Sequence, residues 1–556
     1  MKMEFARLTS IYSRLEDISG RLEMTDVVAE FLKEVPDGLL STVILFLRGT
    51  PFPPWSNLEI GIADKLMVKA LSSVSGASED KLNSILREKG DLGSVAEAVL
   101  VNKPQTTLVS SALTVEKVDE KIRKMVTLIG KGSQERKFAY LTELLSNASG
   151  KDSRYIVRLI LGQLRLGVGD GIIRDAIAKA YNADNALVEQ AYNLNPDWGE
   201  VALTAKKNGE DGLRAYSIVL GSPVKVMLAQ KAADLSEALA CAPEVQLEVK
   251  YDGARVQIHK DGGRVELFTR RLENITKQFP EVVEEASKNI TAEKTVIEGE
   301  IVAINPADRR PLPFQNLSRR IKRKYDIKEI MVKIPVEVNI FDIIYLDGEA
   351  KLATPFRERR RILSGIITES ERFRLAEKLE TKDLKEAEKF YKKALIGGHE
   401  GVMVKVLDAP YRPGSRVGYM YKVKPVMETL DLVVTGATWG EGRRAQWLGS
   451  YLLSVYDTET GEYLEIGRMA TGLTDEQLAE LTELFKPLIV SQEGKEVKLT
   501  PQYVFEVAYE EIQKSPTYGS GYALRFPRLV RVREDKGIEE ADNLKRVETL
   551  VKGGRG

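Results

Sequence analysis

Cysteine and histidine are nearly absent from this chain. Cys241 stands alone, which excludes an internal disulfide and any metal or iron–sulfur site built on several thiolates. Two histidines, His259 and His399, leave little room for a histidine-based metal site or catalytic triad. An excess of charge of one sign is missing too. With 82 basic residues against 82 acidic ones, any surface for nucleic acid must be a local stripe and not a property of the whole. The longest apolar run near the start, residues 43–47, is far short of the roughly 20 residues that cross a bilayer. Residues 1–7 lead into a mixed polar pattern, without the charged start, apolar core and small-residue cleavage site of a secretory leader. These absences predict an unanchored, intracellular protein with no membrane partner. Reactive chemistry must then fall mostly on Lys, Arg, Asp and Glu.

Hydrophobic residues make up 43% and charged residues 29%, enough for a sizeable core and against wholesale disorder. At about 150 residues per domain, the length suggests roughly three or four domains. High charge with little cysteine is in keeping with a thermophilic source. Residues 1–222 read as helical: Val115, Val118, Ile122, Val126 and Ile129 recur at helical spacing, as do Phe138, Leu141 and Leu145. Residues 155–166 place Ile156, Leu159, Ile160 and Leu164 on one face. Gly162, Gly167, Gly169 and Gly171 cluster beside Arg154, Arg158 and Arg165. Glycine-marked helix starts expose backbone N–H groups, and with the arginines they could grip phosphates. The plainer alternative is helix termini with solvated arginines.

Gly221-Ser222-Pro223 breaks the helical pattern. Residues 245–424 alternate in short runs, with a hairpin turn at Asp261-Gly262-Gly263 and a helix over 383–395, which predicts an α+β region of antiparallel sheet. Past Pro425 strands recur at 432–435, 451–456, 463–466 and 504–507, with turns at Gly440-Glu441-Gly442 and Thr460-Gly461. That suits a small barrel of about 130 residues with a polar tail after Asp535. The expected domains are 1–222, 223–425 and 426–556.

The most informative stretch is Gln246-Leu247-Glu248-Val249-Lys250-Tyr251-Asp252-Gly253-Ala254-Arg255. Alternation puts Leu247, Val249 and Tyr251 on one face of a strand and Glu248, Lys250 and Asp252 on the other. In a chain so poor in His and Cys, lysine is the natural covalent nucleophile. A free lysine titrates near 10.4, and bringing that to about 7 costs about 4 kcal/mol, which desolvation or a nearby metal ion and guanidinium could supply. The flanking acids work the other way unless a cation neutralises them. Taken alone, the pattern fits a surface ion-pair ladder as well. Four further segments add weight. Glu298 and Glu300 share a strand face with Val296 and Val302, Glu400 opens another strand, and Lys422 and Lys424 project from one side of a third. Phe341 is an aromatic on the more polar face of its strand. Oxygen ligands for Mg²⁺, cations for phosphates and an aromatic face for a base are what a nucleotide site needs.

The ordered set resembles the ATP-dependent DNA ligases of the archaeal and eukaryotic replicative type, over nearly the whole chain. Lys250-Tyr251-Asp252-Gly253-Ala254-Arg255 resembles the family's nucleotidyl-lysine motif, and Thr269-Arg270-Arg271-Leu272-Glu273-Asn274 the one that follows. Glu298-Gly299-Glu300, Phe341-Asp342, Glu400-Gly401-Val402-Met403-Val404-Lys405 and Tyr421-Lys422-Val423-Lys424 resemble the remaining adenylation motifs in order. Arg525-Phe526-Pro527-Arg528 through Arg533-Glu534-Asp535-Lys536 matches the last, in the barrel. The resemblance implies a helical DNA-binding domain, a nucleotidyltransferase (adenylation) domain of antiparallel sheets with helices, and a C-terminal OB-fold barrel. Together they would close around nicked double-stranded DNA. It implies ATP and Mg²⁺ (or Mn²⁺) as cofactors, and transfer of AMP from ATP to Lys250, then to the 5′-phosphate of a nick, before the strand is sealed. By motif position, Glu248 would contact adenine and Phe341 stack on it; Arg255 and Arg270 would bind ribose and phosphates, with Arg416 nearby. Glu300 and Glu400 would serve the nucleotide and its divalent ions, and Lys422 and Lys424 the α-phosphate. Arg528, Arg533, Asp535 and Lys536 would orient the leaving pyrophosphate, and Arg154, Arg158, Arg165, Gly167 and Gly169 would meet DNA. The resemblance also implies a monomer in the cytoplasm of an archaeal cell, associated with the nucleoid.

Thr269 and Met420 stand where the family often has Ser and Trp. Clamp-binding segments of some relatives carry paired aromatics, and Gln105-Thr106-Thr107-Leu108-Val109-Ser110-Ser111-Ala112 has none. A sliding clamp is therefore one reading of that segment and an ordinary polar loop the other. Guanylyl transfer to RNA ends and RNA ligation are rivals within the same chemistry, and a non-catalytic DNA scaffold is a rival outside it. NAD-dependent ligation is disfavoured, because a four-cysteine zinc module cannot be built from Cys241.

Overall fold

The computed structural model describes residues 2–101, 112–164, 166–323, 325–425, 428–440 and 444–553. The chain divides into two compact units, Met1–Val423 and Lys424–Gly556. The change of secondary structure near residue 222 is therefore not a break in compactness.

The first part of the larger unit is helical, with one apolar cluster running from Met3 to Leu213. Most of the helical periodicity holds, with two differences at helix ends. The helix Val115–Thr127 buries Val115, Val118 and Ile122, but it stops before Ile129, which is 79% exposed. The helix Gly150–Ile160 ends sooner than the apolar spacing predicts, because Gly162 takes a φ of +67° that a helix does not continue through. Its start is fixed by a capping box between Ser149 and Asp152.

Beyond residue 227 two sheets follow. Their strands are β1 (Leu228–Lys231), β2 (Val245–Lys250), β3 (Ala254–Asp261), β4 (Arg264–Thr269), β5 (Lys294–Ala303), β6 (Val336–Leu346), β7 (Glu349–Ala350), β8 (Phe373–Leu375), β9 (Lys378–Glu380), β10 (Gly401–Val406) and β11 (Arg416–Val423). One sheet runs β1-β11-β10-β2-β9 and the other β4-β3-β5-β6-β7, with β8 beside β6. Pairing is antiparallel as expected, except that β1 lies parallel to β11 and β8 parallel to β6. The outer face of the first sheet packs Leu247, Val249, Val402 and Val404 with Ala387 and Phe390 of the helix Leu384–Ile396. The outer face of the second buries Val256, Ile258, Ile297 and Ile301 with Phe279 and Val282. Both inner faces carry the charged residues, among a few apolar ones such as Met403, Met420 and Val296.

The smaller unit is a β domain of strands β12 (Leu430–Trp439), β13 (Leu448–Tyr456), β14 (Tyr463–Met469), β15 (Ile489–Glu493), β16 (Glu496–Leu499), β17 (Val504–Ala508), β18 (Glu511–Lys514), β19 (Tyr522–Arg525) and β20 (Arg528–Val532). Seven of these form one sheet, in which β12 is shared by β13, β16 and β17, while β18 and β19 pair as a hairpin. The tail expected to be merely polar contains the helix Leu544–Gly553, whose Val547 is fully buried in the core of this unit. A single apolar face was too short a signal to set it apart. The turn expected at Gly440-Glu441-Gly442 lies largely outside the described residues.

Candidate active site

Lys250 closes β2, and Gly253 lets the chain turn straight into β3. A Cβ at position 253 would stand 2.2 Å from the carbonyl oxygen of Ile301, so only glycine allows that approach of backbone to backbone. Register then assembles the inner face of the first sheet. Lys250 lies opposite Gly401, Glu248 opposite Met403 and Gln246 opposite Lys405, while Met403 and Lys405 lie opposite Lys422 and Met420. Residues directly opposite in an antiparallel pair share a face. On the second sheet Arg255 lies opposite Glu300 and Gln257 opposite Glu298. The two inner faces meet where the Lys405 ammonium of β10 sits 4.7 Å from the Phe341 ring of β6, with the Arg255 guanidinium 5.4 Å from the same ring.

Within this space the Lys250 ammonium pairs with Glu400. Glu300 is the electrostatic misfit. Burial pushes its carboxyl up to about 7; Lys250 and Arg255 pull against that shift, and Glu400 and Asp252 reinforce it. Arg270 is shifted the opposite way: burial lowers its guanidinium, and the neighbouring charges of Arg255 and Arg416 lower it further. Arg416 itself donates to the Ala229 carbonyl at 3.0 Å. Three guanidinium groups and three carboxylates thus share one region, and some of their charges are in conflict.

Arg255 is held from several sides. It donates to Glu298 at 2.6 Å and to the Met227 carbonyl at 2.8 Å. Glu298, fully buried, also accepts from the Tyr411 hydroxyl at 2.8 Å, and that hydroxyl accepts from the Met227 backbone N–H at 3.0 Å. Gln257 extends the chain of contacts. Its amide donates to Glu298 at 3.3 Å, and its oxygen accepts from the Val224 N–H at 2.7 Å. Among the described residues Arg255 Nε is buried with no hydrogen-bond partner, although its other nitrogens are satisfied. A buried unpaired donor of this kind is what a bound hydroxyl or phosphate oxygen would satisfy. With the partly exposed Phe341 ring beside it, the face fits a nucleotide.

Glu248 is placed less openly than its expected contact with adenine requires. It is 2% exposed, with its carboxylate 2.5 Å from Lys405 Nζ and 2.7 Å from the Gln246 amide nitrogen. Glu300 and Glu400 are the two residues expected to serve a divalent ion. Among the described residues no three acidic or thiolate or imidazole groups are already arranged as a cation cage. Two crowded carboxyls, one of them raised toward neutrality, are nevertheless a donor set that a hard cation suits, with phosphate oxygens and water completing its shell. Lys422 lies on the same face, and Lys424 opens the smaller unit.

In the smaller unit, Arg533 and Lys536 gather on Asp431, at 2.8 and 2.7 Å, and Arg533 also forks onto Asp535 at 2.8 and 2.9 Å. The guanidinium beside it holds the Asp535 carboxyl well below the usual range. Arg528 is exposed at the start of β20.

The arginines expected to meet DNA are placed otherwise. Arg158 forks onto Asp91 at 2.8 and 2.9 Å and also pairs with Glu16; Arg154 pairs with Glu16 at 3.0 Å and Glu97 at 3.1 Å. Carboxylates of their own domain pair with both guanidinium groups, which makes the two arginines an internal brace, although Arg154 Nε is buried with no hydrogen-bond partner among the described residues. Gly167 takes a φ of +77° and Gly169 caps the helix Asp170–Tyr181, but the carboxylate of Asp170 already sits there, bound by Arg48 at 2.8 Å and by Trp198 Nε1 at 3.1 Å. Arg165 lies outside the described residues. Reading the sequence alone passed over Tyr411, Gln257, Lys405 and Asp431 as site residues. Of these Lys405 stood at the end of the Glu400–Lys405 motif without a role of its own, and Tyr411 was an aromatic within the turn-forming run Ala409-Pro410-Tyr411-Arg412-Pro413-Gly414.

Comparison with known proteins follows the same three regions. Residues 4–178 match the family model for the DNA ligase N terminus, 226–424 that for the ATP-dependent DNA ligase domain, and 444–536 that for the ATP-dependent DNA ligase C-terminal region. The DNA ligase of Thermococcus onnurineus is 48% identical over 549 residues, covering 99% of this chain and 98% of that protein. The DNA ligase of Archaeoglobus fulgidus is 48% identical over 551 residues, covering 99% of each. Among solved structures, Pmar-Lig_PreS3 shares the fold with a TM-score of 0.57 at 18% identity, covering 95% of this chain and 99% of that one. The chain belongs to the ATP-dependent DNA ligases, the enzymes that use ATP and a divalent metal to seal nicks in DNA.

Proposed function

We propose that Lys250 is the nucleophile through which this chain performs nick sealing. The observation that carries it is the position of its amine: at a strand end of the first sheet, paired with Glu400, and near enough to Glu300 of the second sheet that it and Arg255 both act on that carboxyl. In the first step the neutral amine attacks the α-phosphorus of ATP. A P–N bond forms, the bond to the α–β bridging oxygen breaks, and pyrophosphate leaves with the electron pair. In the second step the 5′-phosphate of the nick displaces lysine and takes the AMP. In the third, the 3′-hydroxyl attacks that phosphate, AMP departs and the strand is closed.

The chain's own groups do the positioning. Phe341 stacks on the base and Glu248 reads its edge, which requires Lys405 to yield part of its hold on that carboxylate. Arg255, Arg270 and Arg416 hold ribose and phosphates, and Lys422 and Lys424 neutralise the α-phosphate as charge builds on it. Arg528, Arg533, Asp535 and Lys536 serve the leaving pyrophosphate. Glu300 and Glu400 would hold a divalent cation, whose positive charge would disfavour the lysine ammonium. We place the working domains at 1–222, 223–425 and 426–556, and the enzyme as a monomer in the archaeal cytoplasm at the nucleoid. Among the described residues no helix is long and apolar enough to cross a membrane. The clamp reading of Gln105–Ala112 falls on residues outside the described ones except for Ala112; deleting the segment and measuring clamp binding separates it from the polar-loop reading.

The test is Lys250→Ala. Covalent labelling with AMP from ATP should be abolished while affinity for nicked DNA stays within about twofold, since one lysine contributes a small share of the phosphate contacts. Persistent labelling of the variant would refute the assignment.

A further inference from the structure

In the smaller unit one carboxylate organises two of the cations assigned above to pyrophosphate. Asp431 stands at the start of β12, opposite Glu506 of β17, which in turn lies opposite Arg531 of β20. Its backbone is locked on both sides: its N–H donates to Asp542 at 2.8 Å and its carbonyl accepts from the Asp542 N–H at 2.8 Å. The side chain is nearly buried at 12% exposure. Both its oxygens accept from Arg533 Nη1, at 3.1 and 2.8 Å, and one of them also accepts from Lys536 at 2.7 Å. Asp535 takes the other edge of the guanidinium through Nε and Nη2. Two like charges three residues apart would repel and splay; a buried carboxylate between them keeps them together and aims both from one fixed point.

We infer that Asp431 is a positioning residue for lysine adenylation, acting through Arg533 and Lys536. It sets the spacing at which these two cations meet the departing pyrophosphate, and it has no part in the later steps, which release none. This rests on the reading that Arg533 and Lys536 serve pyrophosphate, and it adds the group that makes them a pair.

The experiment uses full-length protein and two half-reactions. One is formation of the lysyl-adenylate from ATP and magnesium in a single turnover. The other is sealing of a nick whose 5′-phosphate already carries AMP, with no ATP present. Asp431→Asn keeps the shape and removes the charge. It should slow adenylation by about tenfold or more, the usual order for losing a charge-assisted contact that matters in the transition state. Sealing of the pre-adenylated nick should stay within about twofold, and Asp431→Glu should restore part of the adenylation rate. Unchanged or faster adenylation in Asp431→Asn overturns the inference. So does a parallel fall in both half-reactions, which is what a merely structural carboxylate would give. Arg533→Ala separates the two levels. If it is slow in adenylation while Asp431→Asn is normal, only the role of Asp431 fails. If Arg533→Ala is itself normal, the assignment of these cations to pyrophosphate fails with it.

Discussion

Two clusters in the larger unit are built from the same residue types and behave in opposite ways. In the helical part, Arg154 and Arg158 meet Glu16, Asp91 and Glu97, and each guanidinium has two carboxylate partners. Burial alone would raise Asp91, but the Arg158 fork overrides it and holds that carboxyl well below its ordinary range. Between the sheets, Lys250 and Arg255 also sit among carboxylates, yet Glu300, crowded by Glu400 and Asp252 and buried, is pushed up to about 7. Complementary charge in which each cation meets two carboxylates, and the burial of Asp91 is overridden, makes a brace. Charge that is crowded, buried and incompletely satisfied makes a place that something else completes.

Arg158→Ala puts the brace to the hardest test. Its side chain is 14% exposed, and removing it takes the paired cation from Asp91, which keeps only Ser94, and one of two from Glu16. Stability should fall by about 3 kcal/mol or more, as when one partner of a buried ion pair is lost. Nick affinity measured on the folded fraction at fixed salt should change by no more than about twofold. An unchanged melting temperature with weaker binding and a salt slope reduced by about one phosphate contact would return Arg158 to the DNA surface.

Glu300→Gln probes the misfit on the other side. The folded carboxyl lies near 7 against an ordinary 4.5. Between those values the unfolded chain ionises while the folded one does not, so the wild type loses stability as pH rises from about 4.5 to 7 and does not recover it above. Glutamine cannot ionise. In metal-free protein the variant should therefore gain on the wild type over that window, by up to about 3 kcal/mol at pH 8. Thermal unfolding at several pH values reads this directly. A gap that is constant with pH, or that narrows as pH rises, would show Glu300 to be an ordinary solvated carboxylate.

The difference between the clusters also marks what the sequence could disclose. Alternation in β2 and β5 was enough to put Glu248 with Lys250 and Glu298 with Glu300, because a strand's period of two settles faces locally. Arg154 and Arg158 were visible beside the glycine cluster, but their partners at positions 16, 91 and 97 come from two other segments that no local pattern points to. Gly93 shows how close those helices come: a Cβ there would stand 2.6 Å from Arg158 Cγ. The same limit hid Asp431, about a hundred residues from the motif it organises, and Lys405, whose role depends on lying opposite Gln246 and beside Glu248. Resemblance supplied the order of motifs, while contacts between distant segments had to come from the fold.

Tyr411→Phe is the smallest change, and it acts on the network that holds Arg255. The hydroxyl donates to Glu298 and accepts from the Met227 N–H, in a side chain 2% exposed. Phenylalanine keeps the packing with Val224, Met227 and Val417. It leaves the Met227 N–H and one oxygen of Glu298 with fewer partners, at a cost of about 1–2 kcal/mol in denaturant unfolding. Arg255 keeps its own contacts with Glu298 and Met227, but these two anchors are no longer tied to each other. The KM for ATP in lysine adenylation should then rise severalfold while the saturated rate changes little, because the loss falls on holding the nucleotide. If stability drops and the KM stays put, the Tyr411 hydroxyl is purely structural, like the ion pairs of the helical part. If the KM rises, the hydroxyl is part of what keeps Arg255 aimed, and the boundary between a satisfied network and an expectant one runs through a single phenolic oxygen.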